Sequence, residues 1–414
     1  MVWVMSILPY FTNGLPGIGG QIKQRPEDFR VDEFAPDSVR GGQGRFAWFK
    51  LSKRGLTTSA AIAKVASYLG VKPSGIAFAG LKDANAITSQ WVSLADADVR
   101  RLERLRDKDI RVSDIHFRPA AQEVGNLAGN RFVVRIRQVG KKQLDQAKAL
   151  LDMMARRGVP NYFGQQRFGS RGDNATMGEA LLRGQDEEFM RIFLGRPWSG
   201  DPPRSQAARD AYDHRSLKRA IGCWPAYCVD PRSALTALLA GKGPAGAIKA
   251  INPRIRQIYV QAYQSVIFND ILARRIDRID VIEPGEIVED HATGRSSPVK
   301  DLAAAGARAA AFELSPTGLL PGRRMRIAEG PPGQIERAVL AEHKIEASLF
   351  EPRPGLKGVD ASRRALRYRP GNVKVTAGSD AHDTFIEVAF TAPPGCYATV
   401  LLEELCKNRQ PYLR

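Results

Sequence analysis

The most informative stretch of this chain is Gly75-Ile76-Ala77-Phe78-Ala79-Gly80-Leu81-Lys82-Asp83-Ala84-Asn85-Ala86-Ile87-Thr88-Ser89-Gln90-Trp91. Within it, Asp83 follows Lys82 just past a glycine, and apolar stretches flank the pair on both sides. Reactive side chains are commonly presented in this way, on a loop that a rigid scaffold holds in place. A strand is predicted directly after the loop, at residues 90–94. Asp83 is therefore the first candidate for a catalytic residue.

Periodicity on either side of this loop predicts strands around a helical insertion. Alternation of apolar and polar residues predicts strands at residues 29–34, 46–51 and 130–137, and helical spacing predicts helices at residues 57–69, capped by Thr58 or Ser59, and 143–156. Residues 161–360 hold several helices, the clearest at residues 256–275, and strands are predicted again at residues 385–390 and 397–402. The predicted fold class is α/β (α+β), with one domain at residues 1–160 and 361–414 and an insertion at residues 161–360.

The charge balance favours a polyanionic partner. The chain has 414 residues, of which 62 are Lys or Arg and 44 are Asp or Glu, so its formal net charge is +18. A surplus of this size fits RNA, DNA or an acidic membrane surface. No stretch reaches the roughly 18 apolar residues that span a bilayer. The apolar residues 1–9 lack a basic start and are broken by Pro9, which predicts a tail or strand instead of a signal peptide, and hence a cytoplasmic protein.

Several kinds of chemistry find no support in the sequence. The glycine cluster at residues 17–20 follows no strand, and Gly241-Lys242-Gly243 lacks the hydroxyl residue of a phosphate-binding loop. The four cysteines and five histidines are not spaced as metal ligands, so no metal and no cofactor are expected. A carboxylate, many cations and several aromatic residues remain, and this set suits a cofactor-free reaction on RNA.

The segment from Gly80 to Gln90 resembles the Gly-x-Lys-Asp-x-x-Ala-x-Thr-x-Gln signature of the TruD family of RNA pseudouridine synthases. Further stretches resemble other motifs of that family, in the family's order, at residues 23–29, 129–132, 161–169, 262–269 and 315–318. The resemblance implies a pseudouridine synthase catalytic domain with a mixed, largely antiparallel sheet (residues 1–160 and 361–414) and an inserted helical α/β TRUD domain (residues 161–360). It also implies a tRNA pseudouridine synthase that isomerises the uridine at position 13 of tRNA, without an obligate protein partner.

The resemblance further assigns roles to individual residues. It implies that Asp83 is catalytic, that Asn130 contacts the uracil, and that Phe132 packs on it. Phe29 would line the substrate pocket, and Lys23 is a candidate cation beside the carboxylate. Tyr397 lies at a position where the family carries an aromatic residue. Apart from the resemblance, the cations Lys82 and Arg167 are candidate RNA contacts, since arginine in particular pairs well with phosphate oxygens.

Simpler interpretations stand beside each of these roles. Asp83 in an arbitrary protein is most often a solvated turn residue, Phe29 and Phe132 on strands are core residues by default, and Asn130 could cap a turn. Two other functions also remain open at this point. A non-catalytic RNA-binding or chaperone protein would use the same basic surface, and a cofactor-free nuclease would cleave the RNA chain.

Overall fold

The chain divides into two compact units. The computed structural model describes residues 8–35 and 42–408, and the predicted tail or strand at residues 1–9 falls almost entirely outside them. One unit, here the sheet unit, contains Tyr10–Val159 and residues 368–408. The other, here the inserted unit, contains Pro160–Arg367. Their assignment as a catalytic domain and a TRUD domain stays a prediction.

The first segment of the sheet unit alternates strands and helices. Its elements are β1 (Phe29–Phe34), β2 (Phe46–Arg54), α1 (Thr58–Leu69), β3 (Ile76–Phe78), β4 (Ile87–Ala95), α2 (Val99–Glu103), β5 (Ile110–Arg118), β6 (Gly129–Arg137) and α3 (Leu144–Arg157). The cap of α1 differs from the prediction, because the Thr57 hydroxyl accepts the hydrogen bond from the Ala60 N–H. Thr58 lies inside the helix instead, where its side chain is buried.

The inserted unit is mainly helical. Its elements, beginning and ending at the unit boundaries, are β7 (Val159–Pro160), α4 (Asn174–Arg183), α5 (Asp186–Leu194), α6 (Pro203–Asp213), α7 (Leu217–Cys223), α8 (Val229–Leu239), α9 (Gly243–Ala250), α10 (Pro253–Arg274), β8 (Ile287–Asp290), β9 (Arg295–Pro298), α11 (Leu302–Ala310), β10 (Leu314–Leu320), α12 (Gly330–Glu342), β11 (Ser362–Ala365) and β12 (Arg367–Tyr368). The long α10 begins at Pro253, where Asn252 caps it through the Arg254 N–H. A four-stranded sheet in the order β11-β10-β8-β9 completes this unit.

The chain then returns to the sheet unit with β13 (Gly371–Ser379), β14 (Thr384–Ala392) and α13 (Ala398–Cys406). The main sheet has the order β13-β14-β6-β1-β4-β2-β5, and β3 also pairs with β4. Strands β1 and β4 run parallel, whereas the other described pairings in this sheet are antiparallel. The predicted α/β class with a mixed, largely antiparallel sheet is confirmed.

One predicted element is wrong. Residues 397–402 were expected to form a strand, but Tyr397 is an N-cap and residues 398–402 form the start of α13. Leu401, Leu402 and Leu405 are all buried, and the spacing from Leu401 to Leu405 places them on one face of a helix. A short apolar run reads alike for a buried strand and a buried helix, so periodicity could not separate the two.

The core under the central strands comes from α1. Ala61, Ile62 and Val65 on this helix pack against Phe49 and Leu51 of β2, and all five side chains are almost fully buried. The packing fixes α1 beside the connection from β3 to β4, which carries the candidate site. Among the helices of residues 8–35 and 42–408, none is long and apolar enough to cross a membrane.

Candidate active site

The loop that carries Asp83 connects two hydrogen-bonded strands and is anchored at two points. Residues 79–86 join β3 to β4, whose antiparallel pairing includes Ala77 opposite Ser93. The hydroxyl of Thr58 accepts a hydrogen bond from the Lys82 N–H at 2.9 Å and donates to Gln90 Oε1 at 3.0 Å. Gln90 Nε2 in turn donates to the Gly80 carbonyl at 3.1 Å. Because Thr58 and Gln90 are buried, the loop backbone next to Asp83 is held by fixed groups.

Two lysines contact Asp83 from different directions. Lys23 Nζ lies 2.8 Å from Asp83 Oδ2, and both side chains are about one quarter exposed. Lys53 Nζ donates to the Asp83 backbone carbonyl at 2.6 Å and to the Leu56 carbonyl at 2.7 Å. The carboxylate is thus oriented by an ion pair while it keeps a solvent-accessible side, as a group that must meet a substrate requires.

Burial changes the acid–base behaviour of Lys53. Burial is the main cause that lowers the pKa of its ammonium to about 8; the negative charge of Asp83 raises this pKa and the positive charge of Lys82 lowers it further. Lys53 itself is only 2% exposed. The loop backbone is therefore hydrogen-bonded to a lysine that loses its charge near pH 8.

Lys23 adopts an unusual backbone conformation that places its ammonium at the site. Its φ is +58°, in the left-handed region that residues other than glycine seldom occupy. The Asn85 side chain donates to the Lys23 carbonyl at 2.7 Å, so a residue of the Asp83 loop stabilises this conformation. Lys23 Nζ also lies 4.4 Å from the centre of the Phe29 ring, a cation–π contact.

Three phenylalanines on neighbouring strands form an aromatic group beside these charges. Val31 pairs with Phe132 across β1 and β6, and Phe132 pairs with Phe390 across β6 and β14. The rings of Phe29 and Phe132 meet edge to face with centres 6.3 Å apart, and those of Phe132 and Phe390 stack at 5.2 Å. Edge-to-face and offset pairs are the preferred aromatic geometries, so the three rings support one another.

Lys82 contacts a different set of residues from Lys23. Its Nζ donates to Asn130 Oδ1 at 2.7 Å and lies 2.7 Å from Glu33 Oε2. Glu33 is 2% exposed and faces Asn130 in the register of β1 and β6. The side chains of Asp83, Lys82 and Asn130 are therefore linked through one loop and one pair of strands.

Comparison with known proteins identifies the family. A model of the family described as tRNA pseudouridine synthase D (TruD) matches residues 6–405. The chain belongs to this family. It is 35% identical over 405 residues to the tRNA pseudouridine synthase D of Geobacter metallireducens, covering 97% of this chain and 98% of that protein. It is also 35% identical to the protein of that name from Geobacter sp. strain M21, covering 98% of this chain and all of that protein.

A solved structure extends the likeness to three dimensions. The crystal structure of a Methanosarcina mazei protein assigned to TruD superimposes with a TM-score of 0.79 at 28% identity, and the match covers 97% of each chain. The predicted membership of the TruD family is thus confirmed. Since this is a family of tRNA-modifying enzymes, the alternative of a non-catalytic RNA-binding or chaperone protein finds no support.

The fold brings most of the predicted TruD site residues together. Lys23, Phe29, Lys82, Asp83, Asn130 and Phe132 are joined by the contacts described above. Tyr397 directly precedes α13 in the same unit, and its carbonyl accepts a hydrogen bond from the Tyr368 hydroxyl at 3.4 Å. Its place in the substrate pocket stays a prediction.

Arg167 belongs to the inserted unit. It lies in a short 3-10 helix, Gln165–Phe168, where its Nε donates to Ser265 Oγ at 3.1 Å and its Nη2 donates to Gln261 Oε1 at 3.2 Å. These contacts orient the guanidinium through uncharged groups of α10. Its role as an RNA contact stays a prediction.

Two residues of the site were missed in the sequence. Glu33 and Lys53 both stand at inward-facing positions of strands, where a charged side chain is expensive unless it has partners. In β1 the buried positions are Phe29, Val31 and Glu33, and in β2 Lys53 follows the buried Leu51 by two residues. A charge at an inward position of an alternating strand was the signal that could have indicated both.

No metal site accompanies these residues in the part of the chain that the structure describes, since no group of three or more His, Cys, Asp or Glu side chains is placed to hold an ion. The absence of a metal or cofactor from the reaction stays a prediction.

Proposed function

We propose that Asp83 is the catalytic carboxylate with which this tRNA pseudouridine synthase isomerises a uridine of tRNA to pseudouridine, and that the target is the uridine at position 13. The observation that carries this proposal is the placement of Asp83 on an anchored loop. There, Lys23 lies 2.8 Å from its carboxylate, and the Phe29–Phe132 pair is joined to the same group through Lys23.

The reaction needs few protein groups. The bond between N1 of the uracil and C1′ of the ribose breaks, the base turns, C5 bonds to C1′, and the proton on C5 leaves. Asp83 can attack the sugar or assist its deprotonation, and it can then accept the proton as a general base. These steps require a positioned carboxylate and a pocket that retains the detached base.

The neighbours of Asp83 suit the second requirement. The target base must leave its stack before the enzyme can reach it. The rings of Phe29 and Phe132 are buried next to the site, at 2% and 8% exposure, so a base could reach them only if the pocket opens. Asn130 is half-buried beside Lys82, with a polar amide that can meet the base edge. We infer that Phe132 packs on the uracil, that Phe29 and Tyr397 line its pocket, and that Asn130 contacts its polar edge.

The charge of the protein agrees with a tRNA substrate. With a net charge of +18, contacts to the phosphate backbone would supply much of the binding free energy. We assign Arg167 to such a contact, because arginine binds phosphate oxygens directly. The ammonium of Lys82 contacts Glu33 and Asn130 within the site and its side chain is 11% exposed, so we assign it no phosphate contact. We infer a cytoplasmic location from the tRNA substrate.

The proposal is tested on total tRNA from a host that lacks this activity. The tRNA is incubated with the parent protein, with Asp83→Asn and with the matched control Asp96→Asn, whose carboxylate pairs with the exposed Arg45. Neither metal nor nucleotide is added, and pseudouridine is mapped by carbodiimide treatment and primer extension. The expected result is a new stop reporting position 13 with the parent and with Asp96→Asn, and none with Asp83→Asn.

Other outcomes of this assay separate the two parts of the proposal. A stop at a different uridine, lost in Asp83→Asn, would correct the target and leave the catalytic assignment intact. Equal modification by the parent and by folded Asp83→Asn would contradict the role of Asp83.

A further inference from the structure

We propose that Glu33 and Lys82 fix the amide of Asn130 so that its nitrogen faces the target base, and that this orientation makes the site accept uracil and reject cytosine. The inference rests on the proposed function, because it concerns how the same site recognises its base. Glu33 and Lys82 act here as positioning residues, since they reach the base only through Asn130.

The three side chains form a compact, mostly buried chain of contacts. Lys82 Nζ lies 2.7 Å from Glu33 Oε2 and donates to Asn130 Oδ1 at 2.7 Å. The side chains of Glu33 and Lys82 are 1% and 11% exposed. Because Glu33 and Asn130 are opposite each other on β1 and β6, one ammonium can reach both.

The chemistry of lysine decides which end of the amide faces it. An ammonium has three donors and no acceptor, so the Asn130 atom that it contacts must be the oxygen. The amide group is planar, so its nitrogen Nδ2 points away from its oxygen Oδ1. With Oδ1 held by Lys82, the two N–H donors of Asn130 are presented on the side away from Lys82.

Glu33 is held by one ion pair and one hydrogen bond. Its Oε2 faces Lys82, and its Oε1 accepts a hydrogen bond from the Trp91 N–H at 3.1 Å. Trp91 lies between the part of β4 that pairs with β1 (residues 87–89) and the part that pairs with β3 (residues 92–94). The sheet backbone thus holds Glu33, Glu33 holds the ammonium of Lys82, and Lys82 holds the amide.

The orientation of this amide distinguishes two pyrimidines. Uracil carries a carbonyl oxygen at C4, which accepts hydrogen bonds, whereas cytosine carries an amino group there, which donates them. A donor from Asn130 that meets the C4 edge of the base pairs with O4 of uracil and opposes the amino group of cytosine. A site built to make such a hydrogen bond discriminates strongly against a ligand that cannot make it, because its own polar group is left unpaired. A flipped amide would favour cytosine instead.

The test compares the binding of two tRNAs that differ at one base. One carries the target uridine and the other carries cytidine at that position. All proteins contain Asp83→Asn, so that no turnover occurs. We expect the protein with Asp83→Asn alone to bind the uridine tRNA about tenfold or more tightly than the cytidine tRNA. Adding Glu33→Gln should bring the two dissociation constants within about threefold of each other, because the cation that orients Asn130 loses its fixed partner.

A matched control accounts for the loss of any buried carboxylate. Glu286 in the inserted unit is fully buried and pairs with Arg275 at 2.6 Å. Glu286→Gln, added to Asp83→Asn, should leave the preference for uridine unchanged. Preference lost equally in this control would overturn the inference, because the effect would then come from general loosening of the protein.

A second variant covers the case in which Glu33→Gln does not fold. The double substitution Glu33→Gln with Lys82→Met removes both charges and leaves no buried ion without a partner. We expect it, too, to lose the preference for uridine. Full preference in either folded variant would overturn the inference.

The parent is assayed in parallel for pseudouridine formation. An inactive parent would overturn the proposed function together with this inference, whereas an active parent with unaltered preference in the variants would overturn this inference alone.

Discussion

At the residue scale, the site is organised by the contacts of Asp83 and its neighbour Lys82. Lys23 contacts the carboxylate of Asp83, Lys53 contacts its backbone carbonyl, and Lys82 connects the loop to Glu33 and Asn130. Each cation has a different partner and a different degree of burial. Substitution of each should therefore change a different property of the enzyme.

Lys23→Met should lower kcat by about tenfold to a hundredfold with little change in stability. The substitution removes a charged hydrogen bond that orients the carboxylate, and such a bond is typically worth about 1.5–3 kcal/mol. Single-turnover rates of pseudouridine formation would measure the effect. Lys64→Met is the matched control, because Lys64 pairs with Asp107 on the surface of the same unit. Unchanged turnover in folded Lys23→Met would rule out this role.

Lys53 should make the stability of the protein depend on pH above neutrality. Its pKa is about 8 in the folded protein, below the ordinary value of 10.5, so the unfolded chain binds more protons between these values. Stability therefore rises with pH across that window, and the cost of burying the charge is fully present below pH 8. Relative to Lys53→Met, the parent should gain free energy of unfolding from pH 8 to pH 10, as measured by urea denaturation. A difference that is constant or falls with pH would refute the assignment.

The sequence predicted the residues that a motif carries, but not those that only the sheet brings in. Asp83, Asn130 and Phe132 stand in recognisable motifs, and so does Lys82, which contacts Asn130 from the loop between β3 and β4. Glu33 and Lys53 have no motif of their own. Their proximity to the site depends on which strands become neighbours, and local periodicity does not contain that information.

At the scale of elements, the reactive loop depends on α1 and β4. Thr58 on the helix and Gln90 on the strand hold the loop backbone at Lys82 and Gly80. The apolar face of α1 packs on β2, which fixes the helix and hence the hydroxyl of Thr58. The position of Asp83 therefore depends on the packing of the core, through the side chains of Thr58 and Gln90.

Thr58→Val should lower both stability and kcat. It removes the hydroxyl that accepts from the Lys82 N–H and donates to Gln90, and it leaves both buried groups unpaired at a cost of about 1–3 kcal/mol. Thr57→Val is the adjacent control. It loses only the helix cap, which costs about 1 kcal/mol, and should retain kcat. Thermal unfolding and steady-state rates would measure both. Equal kcat for the two variants would show that the Thr58 anchor does not position the loop.

The wrongly predicted element illustrates what local patterns omit. Residues 397–402 contain β-branched and apolar side chains, but Tyr397 caps α13 and the other five residues begin it. Further along this helix, the buried Glu404 accepts hydrogen bonds from the backbone N–H groups of Phe11 and Thr12, each at 3.0 Å. A contact across almost the whole length of the chain stabilises this helix, and a short window of sequence cannot reveal it.

At the scale of the whole molecule, the order of the motifs was the decisive sequence signal. They run from Lys23 through the loop of Asp83 and on into residues 315–318, and the family match covers residues 6–405. The division at Pro160 and Arg367 follows from contacts within each unit. The predicted assignment of residues 161–360 as a TRUD domain, made from composition and the motif at residues 161–169, stays a prediction. The net charge of +18 predicted a polyanionic partner, yet only the motifs distinguished tRNA from other polyanions.

The most direct test of the central claim measures the proton that leaves C5. A tRNA substrate labelled with tritium at C5 of its uridines is incubated with the parent and with Asp83→Asn, after folding and tRNA binding of both have been verified. We expect the parent to release tritium from one target uridine per tRNA and Asp83→Asn to release none above background. Release by Asp83→Asn at the rate of the parent would contradict the claim that Asp83 performs the reaction.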